Sequence, residues 1–227
     1  MPYADNAFTR IPDGVSDEDA LFLGDILSTG WWGARLAQIE PGSTVAVIGA
    51  GPVGLTTMMC ARLAGPGQII ALDVDETRLR RAAEHGLADV VINPAEKNLD
   101  AVESLVRAAT SDRGADAVIE AAGGDDTFET AWRIARPNAV VVLSAMYERD
   151  QVLPLPGMYG KNLTFKTGGV DACGLDEVMG LIAEGRIDTS PLISRRYPLN
   201  DILEAYRAFE AREDGCLKVV ITSWDAR

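Results

Sequence analysis

The run TVAVIGAGPVG, residues 44–54, constrains this chain more than any other feature. TVAVI is a short, β-branched, apolar segment, the composition expected of a parallel strand buried on both faces. Gly49, Gly51 and Gly54 follow at the spacing G-x-G-x-x-G and lead into a helical pattern. Such glycine triplets arise by chance, so weight comes from the position between a buried strand and a helix. There Gly49 permits a tight turn, Gly51 lets the backbone approach a pyrophosphate, and Gly54 allows close helix–strand packing. The helix amino terminus adds free N–H groups and a partial positive charge.

The next apolar run, 68–72, ends at Asp73. A carboxylate at that point can accept hydrogen bonds from both hydroxyls of an adenine ribose, and it repels the additional phosphate of NADP. Arg78 lies just beyond and would welcome that phosphate. Asp73 outweighs it because it stands at the strand end itself, so the pattern favours NAD.

Strand and helix signals then alternate. Strands are expected over 90–92, 115–120 and 139–144, and helices over 52–64, 76–85, 99–110 and 128–135, the last stopped by Arg136-Pro137-Asn138. That order implies an α/β fold: a Rossmann-type, doubly wound parallel sheet with helices on both faces. Upstream, Ser16 reads as a helix cap with Glu18 and Asp19 in the first turn. The apolar stretch 20–27 follows, and Gly30-Trp31-Trp32-Gly33 is expected to break it before a second helical piece over 34–39. Downstream, an edge strand is expected over 163–166, helices over 175–184 and 200–211, and a final strand over 217–222. The expected division is a leading segment 1–40, a dinucleotide-binding domain 41–187, and a tail 188–227.

Composition narrows the function. The net charge is −13, which repels a phosphate backbone, and the basic clusters Arg78/Arg80/Arg81 and Arg195/Arg196 are short and flanked by acids. Nucleic acid is not an expected partner. No apolar run approaches the roughly 20 residues of a membrane span, and MPYADNAFTR lacks the layout of a secretory signal. The expected setting is the cytoplasm, with no membrane partner. Three scattered cysteines (Cys60, Cys173, Cys216) and one histidine (His85) give neither a disulfide framework nor a zinc ligand set. His85, before Gly86, is explained by a helix end.

With these residues in view, the chain resembles the zinc-dependent medium-chain alcohol dehydrogenases. The likeness runs through IPDGVSDEDALFLGDILSTGWWGA, PGSTVAVIGAGPVGL, IIALDVDETRL, GADAVIEAAG and the closing LKVVI. It implies alcohol–carbonyl interconversion by hydride transfer to or from NAD, with a small-molecule substrate. The residues it implies around the cofactor are Gly49, Gly51, Val53 and Gly54 at the pyrophosphate, and Asp73 and Arg78 at the adenosine. Ala121 and Ala122 would flank the ribose, with Ser144 to Met146 after the fifth strand. Thr29 and Gly168-Gly169 would lie near the nicotinamide, and Lys218 would reach the pyrophosphate. Asp25 matches the position of a third catalytic zinc ligand. Its usual Cys and His partners belong to an amino-terminal catalytic domain that this sequence lacks, and PYADNAFTRIPDG resembles that domain's last stretch. Asp25 then reads as a remnant ligand, and no catalytic zinc is expected in this chain. The tail, 188–227, would be left from the same domain, with 187–193 and 217–221 presenting apolar surface. A homodimer or larger oligomer is expected, since the family's cofactor domains pair through the edge strand over 163–166.

Activation of the alcohol is the weak point. Hydride transfer needs a Lewis acid or general base for the hydroxyl proton. No tyrosine here has a lysine four residues on, so the pair used by short-chain dehydrogenases is absent. Tyr147, past the fifth strand, is a candidate acid or substrate-orienting group, beside the plainer reading of a loop residue. Cys173 is a candidate thiol with nothing nearby in sequence to activate it. Trp31 and Trp32 either wall a pocket or fill core. Two other functions stay open: a zinc-free enzyme reusing the cleft, and a catalytically silent binding or assembly module.

Overall fold

A computed structural model describes residues 8–170, 174–212 and 215–223. Cys173 lies outside them. Residues 29–169 form one compact unit, and the segments 1–28 and 170–227 form another. In chain order the elements begin with α1 (Asp17–Ala20), α2 (Ile26–Leu36), β1 (Thr44–Ile48), α3 (Pro52–Arg62), β2 (Gln68–Leu72) and α4 (Glu76–Glu84). They continue with β3 (Val90–Ile92), α5 (Leu99–Ala109), β4 (Ala115–Glu120), α6 (Thr127–Ile134), β5 (Ala135–Leu143), α7 (Leu155–Met158) and β6 (Thr164–Thr167). Last come α8 (Leu175–Ala183), β7 (Ile193–Pro198), α9 (Ile202–Glu210) and β8 (Lys218–Thr222).

The larger unit holds a six-stranded, wholly parallel sheet in the order β3-β2-β1-β4-β5-β6. Chain order reverses at β1, with β2 on one side and β4 on the other. Ligands bind outside the carboxyl ends of strands at such a switch point. Burial on both faces explains the apolar strands: all five residues of β1 are buried. Ala46, Ile48, Ile70, Leu72, Val118 and Val141 meet Val102, Val106, Ala131 and Ile134 from α5 and α6 in one core. Helix starts follow local chemistry. Asp75 accepts from the Thr77 and Arg78 amides at α4, and Asn98 accepts from Ala101 at α5.

Two local expectations need correction. Gly30 to Gly33 do not break a helix: α2 runs straight through them, and the interruption falls earlier, in the turn 21–25. These glycines serve packing. A Cβ on Gly30 would stand 2.6 Å from the Thr56 carbonyl carbon, and one on Gly33 2.9 Å from Ser144 Oγ. The second correction concerns Arg136-Pro137-Asn138, which does not separate helix from strand. β5 already begins at Ala135, opposite Ala115, and absorbs the three residues as a register irregularity with Asn138 at φ +64°.

In the smaller unit β7 pairs parallel with β8. The sequence pattern did not single out β7. Ile187, Leu192, Leu217 and Val220 are buried, so 187–193 and 217–221 are not the bare apolar surface that the resemblance suggested. Exposed apolar side chains cluster instead on and beside α9 (Leu199, Leu203, Tyr206 and Phe209), with Phe8, Ile11 and Leu21 exposed in the leading segment. Ser16 and Asp19 form the reciprocal cap of α1, and Glu18 takes both ends of the Arg196 guanidinium at 2.7 Å.

Candidate functional site

The glycine turn is built by backbone crowding. Gly49 sits at φ +98° and donates to the Leu72 carbonyl at 2.7 Å; a Cβ there would meet Ala121 and Ala122 at 3.1 Å. Gly51 is the residue before α3, with Pro52 at the first helical position. A Cβ on Gly54 would run into the Gly49 carbonyl group, 2.7 Å from its carbon and closer still to its oxygen. Helix α3 therefore begins against the end of β1, with its first amides unpaired by the helix itself.

Around this turn lies an open cavity of about 450 Å³, lined by Gly49, Gly51, Val53, Asp73, Arg78, Ala121 and Ala122, and also by Val74, Pro94 and Thr127. Asp73 is 8 % exposed. Its Oδ2 accepts from the Ala50 amide at 2.7 Å and its Oδ1 from the Asp75 amide at 2.8 Å. A carboxylate has about four acceptor positions, so capacity remains on both oxygens. Arg78 stands 3.8 Å from Asp73 and 3.7 Å from Asp75, held between two acids.

Thr29, Ser144 and Gly168 gather around α2 within the same unit. Thr29 is on that helix; Gly33, one turn further on, abuts Ser144, and a Cβ on Gly168 would lie 3.4 Å from the Trp32 ring. Ser144 Oγ and Trp31 Nε1 are buried without a hydrogen-bond partner among the described residues. Lys218 and Asp25 belong to the other unit. There Lys218 opens β8 and lines a cavity of about 250 Å³ with Tyr206 and Phe209, while Asp25 is exposed in the turn before α2. Among the described residues no three His, Cys, Asp or Glu side chains gather as metal ligands.

Tyr147 is half-buried and its hydroxyl donates to Glu120 Oε2 at 2.7 Å. Burial, then the hydrogen bond to Glu120 and its negative charge, hold the phenol well above the ordinary tyrosine range. Such a proton is committed to Glu120 and poorly placed to be given to a substrate. Glu120 itself was missed in the sequence, where it reads simply as the last residue of ADAVIE. The available signal was an acid directly after the buried apolar run of Ala117, Val118 and Ile119.

The switch-point cleft, glycine turn and acid-ended second strand are the features of a Rossmann-type α/β unit. The family model for zinc-binding dehydrogenases matches residues 52–177, and the chain belongs to that family. An alcohol dehydrogenase of Cupriavidus necator is 38 % identical, over 97 % of this chain and 60 % of that protein. The NADP-dependent isopropanol dehydrogenase of Thermoanaerobacter brockii is 31 % identical, over 96 % and 63 %. Among solved structures, apo zinc-dependent alcohol dehydrogenase 2 of Streptococcus pneumonia superposes with a TM-score of 0.89 at 28 % identity. That match covers 100 % of this chain and 64 % of that one. The chain thus spans about three fifths of the relatives it matches.

Proposed function

We propose that the cleft binds NAD(H) in preference to NADP(H), and that the chain is the cofactor-holding part of an oxidoreductase interconverting an alcohol and a carbonyl compound. The observation that carries this reading is Asp73, a buried carboxylate on the cavity wall, tied to the glycine turn through Ala50. The family includes an NADP-dependent member, so family alone does not decide the preference. Bound nicotinamide would accept or return the hydride. The chain's own residues would orient it: the α3 amino terminus and Gly51 at the pyrophosphate, Asp73 at the adenosine ribose, Ala121 and Ala122 beside the cleft, and Thr29, Ser144 and Gly168 toward the nicotinamide. In this reading the chain works in the cytoplasm. Fluorescence titration with NADH and NADPH tests it. Saturable binding with NADH tighter by about tenfold or more, some 1.4 kcal/mol, is expected. NADPH binding equally well would overturn the preference, and binding of neither would leave the glycine turn as architecture only.

The same reading includes pairing of two copies along β6. That strand pairs only with β5 among the described residues, leaving an outer edge. Beside it Leu153, Leu155, Met158, Tyr159 and Phe165 line an open cavity of about 550 Å³, with Tyr159 93 % exposed. Soluble proteins seldom leave such an edge and patch bare. Sedimentation velocity should show a dimer that Tyr159→Lys weakens; a monomer at high concentration would count against it.

A further inference from the structure

Glu120 has no accessible surface, yet among the described residues the three groups bonded to its side chain, hydrogen-bond donors from Ala122, Gly123 and Tyr147, are all neutral. Oε1 accepts from the Ala122 and Gly123 amides, each at 2.8 Å, and Oε2 accepts from the Tyr147 hydroxyl at 2.7 Å. Burying a carboxylate against neutral partners alone is expensive. The neighbouring Val118 and Ile119 show that this strand accepts apolar side chains at no such cost. What the carboxylate supplies is an acceptor for two backbone amides that turn inward just past β4. No apolar residue can provide one, and part-buried amides left without an acceptor destabilise the loop.

Those amides belong to the cleft. Ala121, Ala122 and Gly124 line the cavity, and Ala121 and Ala122 are the groups that a Cβ on Gly49 would strike. Gly123, at φ +70°, is wedged so that a Cβ would stand 2.7 Å from the Met146 carbonyl oxygen. The backbone carbonyl of Glu120 receives the amides of Ser144 and Ala145 at 2.8 and 3.2 Å. One residue therefore fastens the loop after β4 by its side chain and the loop after β5 by its carbonyl, and Tyr147 closes the circuit between them.

We infer that Glu120 is a positioning residue for the cofactor: it fixes the Ala121–Gly124 wall of the cleft and couples that wall, through Tyr147, to the loop carrying Ser144. The inference rests on the dinucleotide reading of the cleft. Tyr147 then works through Glu120 and donates no proton to substrate. Glutamine at position 120 can still accept both amides on its oxygen and offer its NH2 group to the Tyr147 oxygen, whereas leucine can do neither.

The test compares Glu120→Gln, Glu120→Leu and Tyr147→Phe with the parent chain in NADH titration, thermal melting and amide hydrogen exchange at Ala122 and Gly123. Glu120→Leu should weaken NADH binding by at least tenfold and deprotect both amides. Glu120→Gln should recover most of that loss, and Tyr147→Phe should weaken binding about threefold with a smaller change in exchange. A folded Glu120→Leu chain with parental affinity and protected amides would overturn the inference. Should Glu120→Leu fail to fold, a Tyr147→Phe chain matching the parent in both affinity and exchange would overturn the coupling, and a Glu120→Gln chain with both amides deprotected would overturn the wall-holding role. A parent chain that binds no dinucleotide refutes the cofactor reading and the affinity half of this inference, while exchange at the two amides still decides whether Glu120 holds the wall.

Discussion

Replacing Gly54 by alanine will destabilise the chain by about 3 kcal/mol and weaken NADH binding by at least about tenfold. The added methyl would have to occupy space held by the carbonyl group of Gly49. Backbone stands there, so no side chain can rotate away; either α3 lifts off the end of β1 or the turn at Gly49 opens. Gly49 cannot yield freely, because its amide is bonded to Leu72 and its Cα faces Ala121 and Ala122. For a chain of this size each kcal/mol moves the melting temperature by roughly 2–4 °C, so a drop of roughly 6–12 °C is expected. Gly180→Ala is the control. It lies within α8, a Cβ there meets nothing within 4 Å, and alanine in a helix interior is worth about 0.5–1 kcal/mol over glycine. The two substitutions add the same methyl and should move the melt in opposite directions. If Gly54→Ala melts and binds as the parent does, the close approach of helix and strand is not what the glycine motif provides.

The contrast shows which parts of the fold could be read beforehand. The bounds of β2, β3 and β4 were legible because a parallel strand buried on both faces is a short apolar run with polar punctuation at each end. The glycine motif was legible in part for a similar reason: Gly54 answers to the Gly49 carbonyl, five residues back in the chain. Gly30 and Gly33 looked the same in sequence as helix breakers, but their role is set by Thr56 and Ser144, which arrive only through folding. Distance hid β7 in another way. Its partner β8 lies more than twenty residues on, and its outward Arg196 is satisfied by Glu18 at the far end of the chain. Glu120 was visible as a strand end and invisible as an anchor, since Tyr147 becomes its partner only once β4 and β5 lie side by side. Lys218 and Asp25 entered through family resemblance alone; no local pattern marks either.

Asp73→Ala should lower NADH affinity by roughly fivefold to 150-fold, about 1–3 kcal/mol, and shift the NADPH-to-NADH preference by at least tenfold toward NADPH. Three consequences of the substitution have different signatures. Losing acceptors for the ribose hydroxyls weakens NADH more than NADPH, which has no 2′-hydroxyl to lose a partner. Removing a negative charge relieves repulsion of the 2′-phosphate and frees Arg78 from one of its two acids, which strengthens NADPH. Leaving the Ala50 and Asp75 amides without their acceptor loosens the glycine turn and weakens both dinucleotides together. Asp75 still stands 3.7 Å from Arg78, so the guanidinium is only partly released, and a complete reversal of preference should require Asp75 to be replaced as well. Asp73→Asn separates the remaining two effects: one oxygen still accepts from a backbone amide, while the charge is gone. If alanine weakens NADH and NADPH equally and asparagine restores both, Asp73 acts on the turn through Ala50 and the ribose assignment fails. If asparagine keeps the turn intact and still gains NADPH relative to NADH, the charge at the end of β2 is what sets the cofactor.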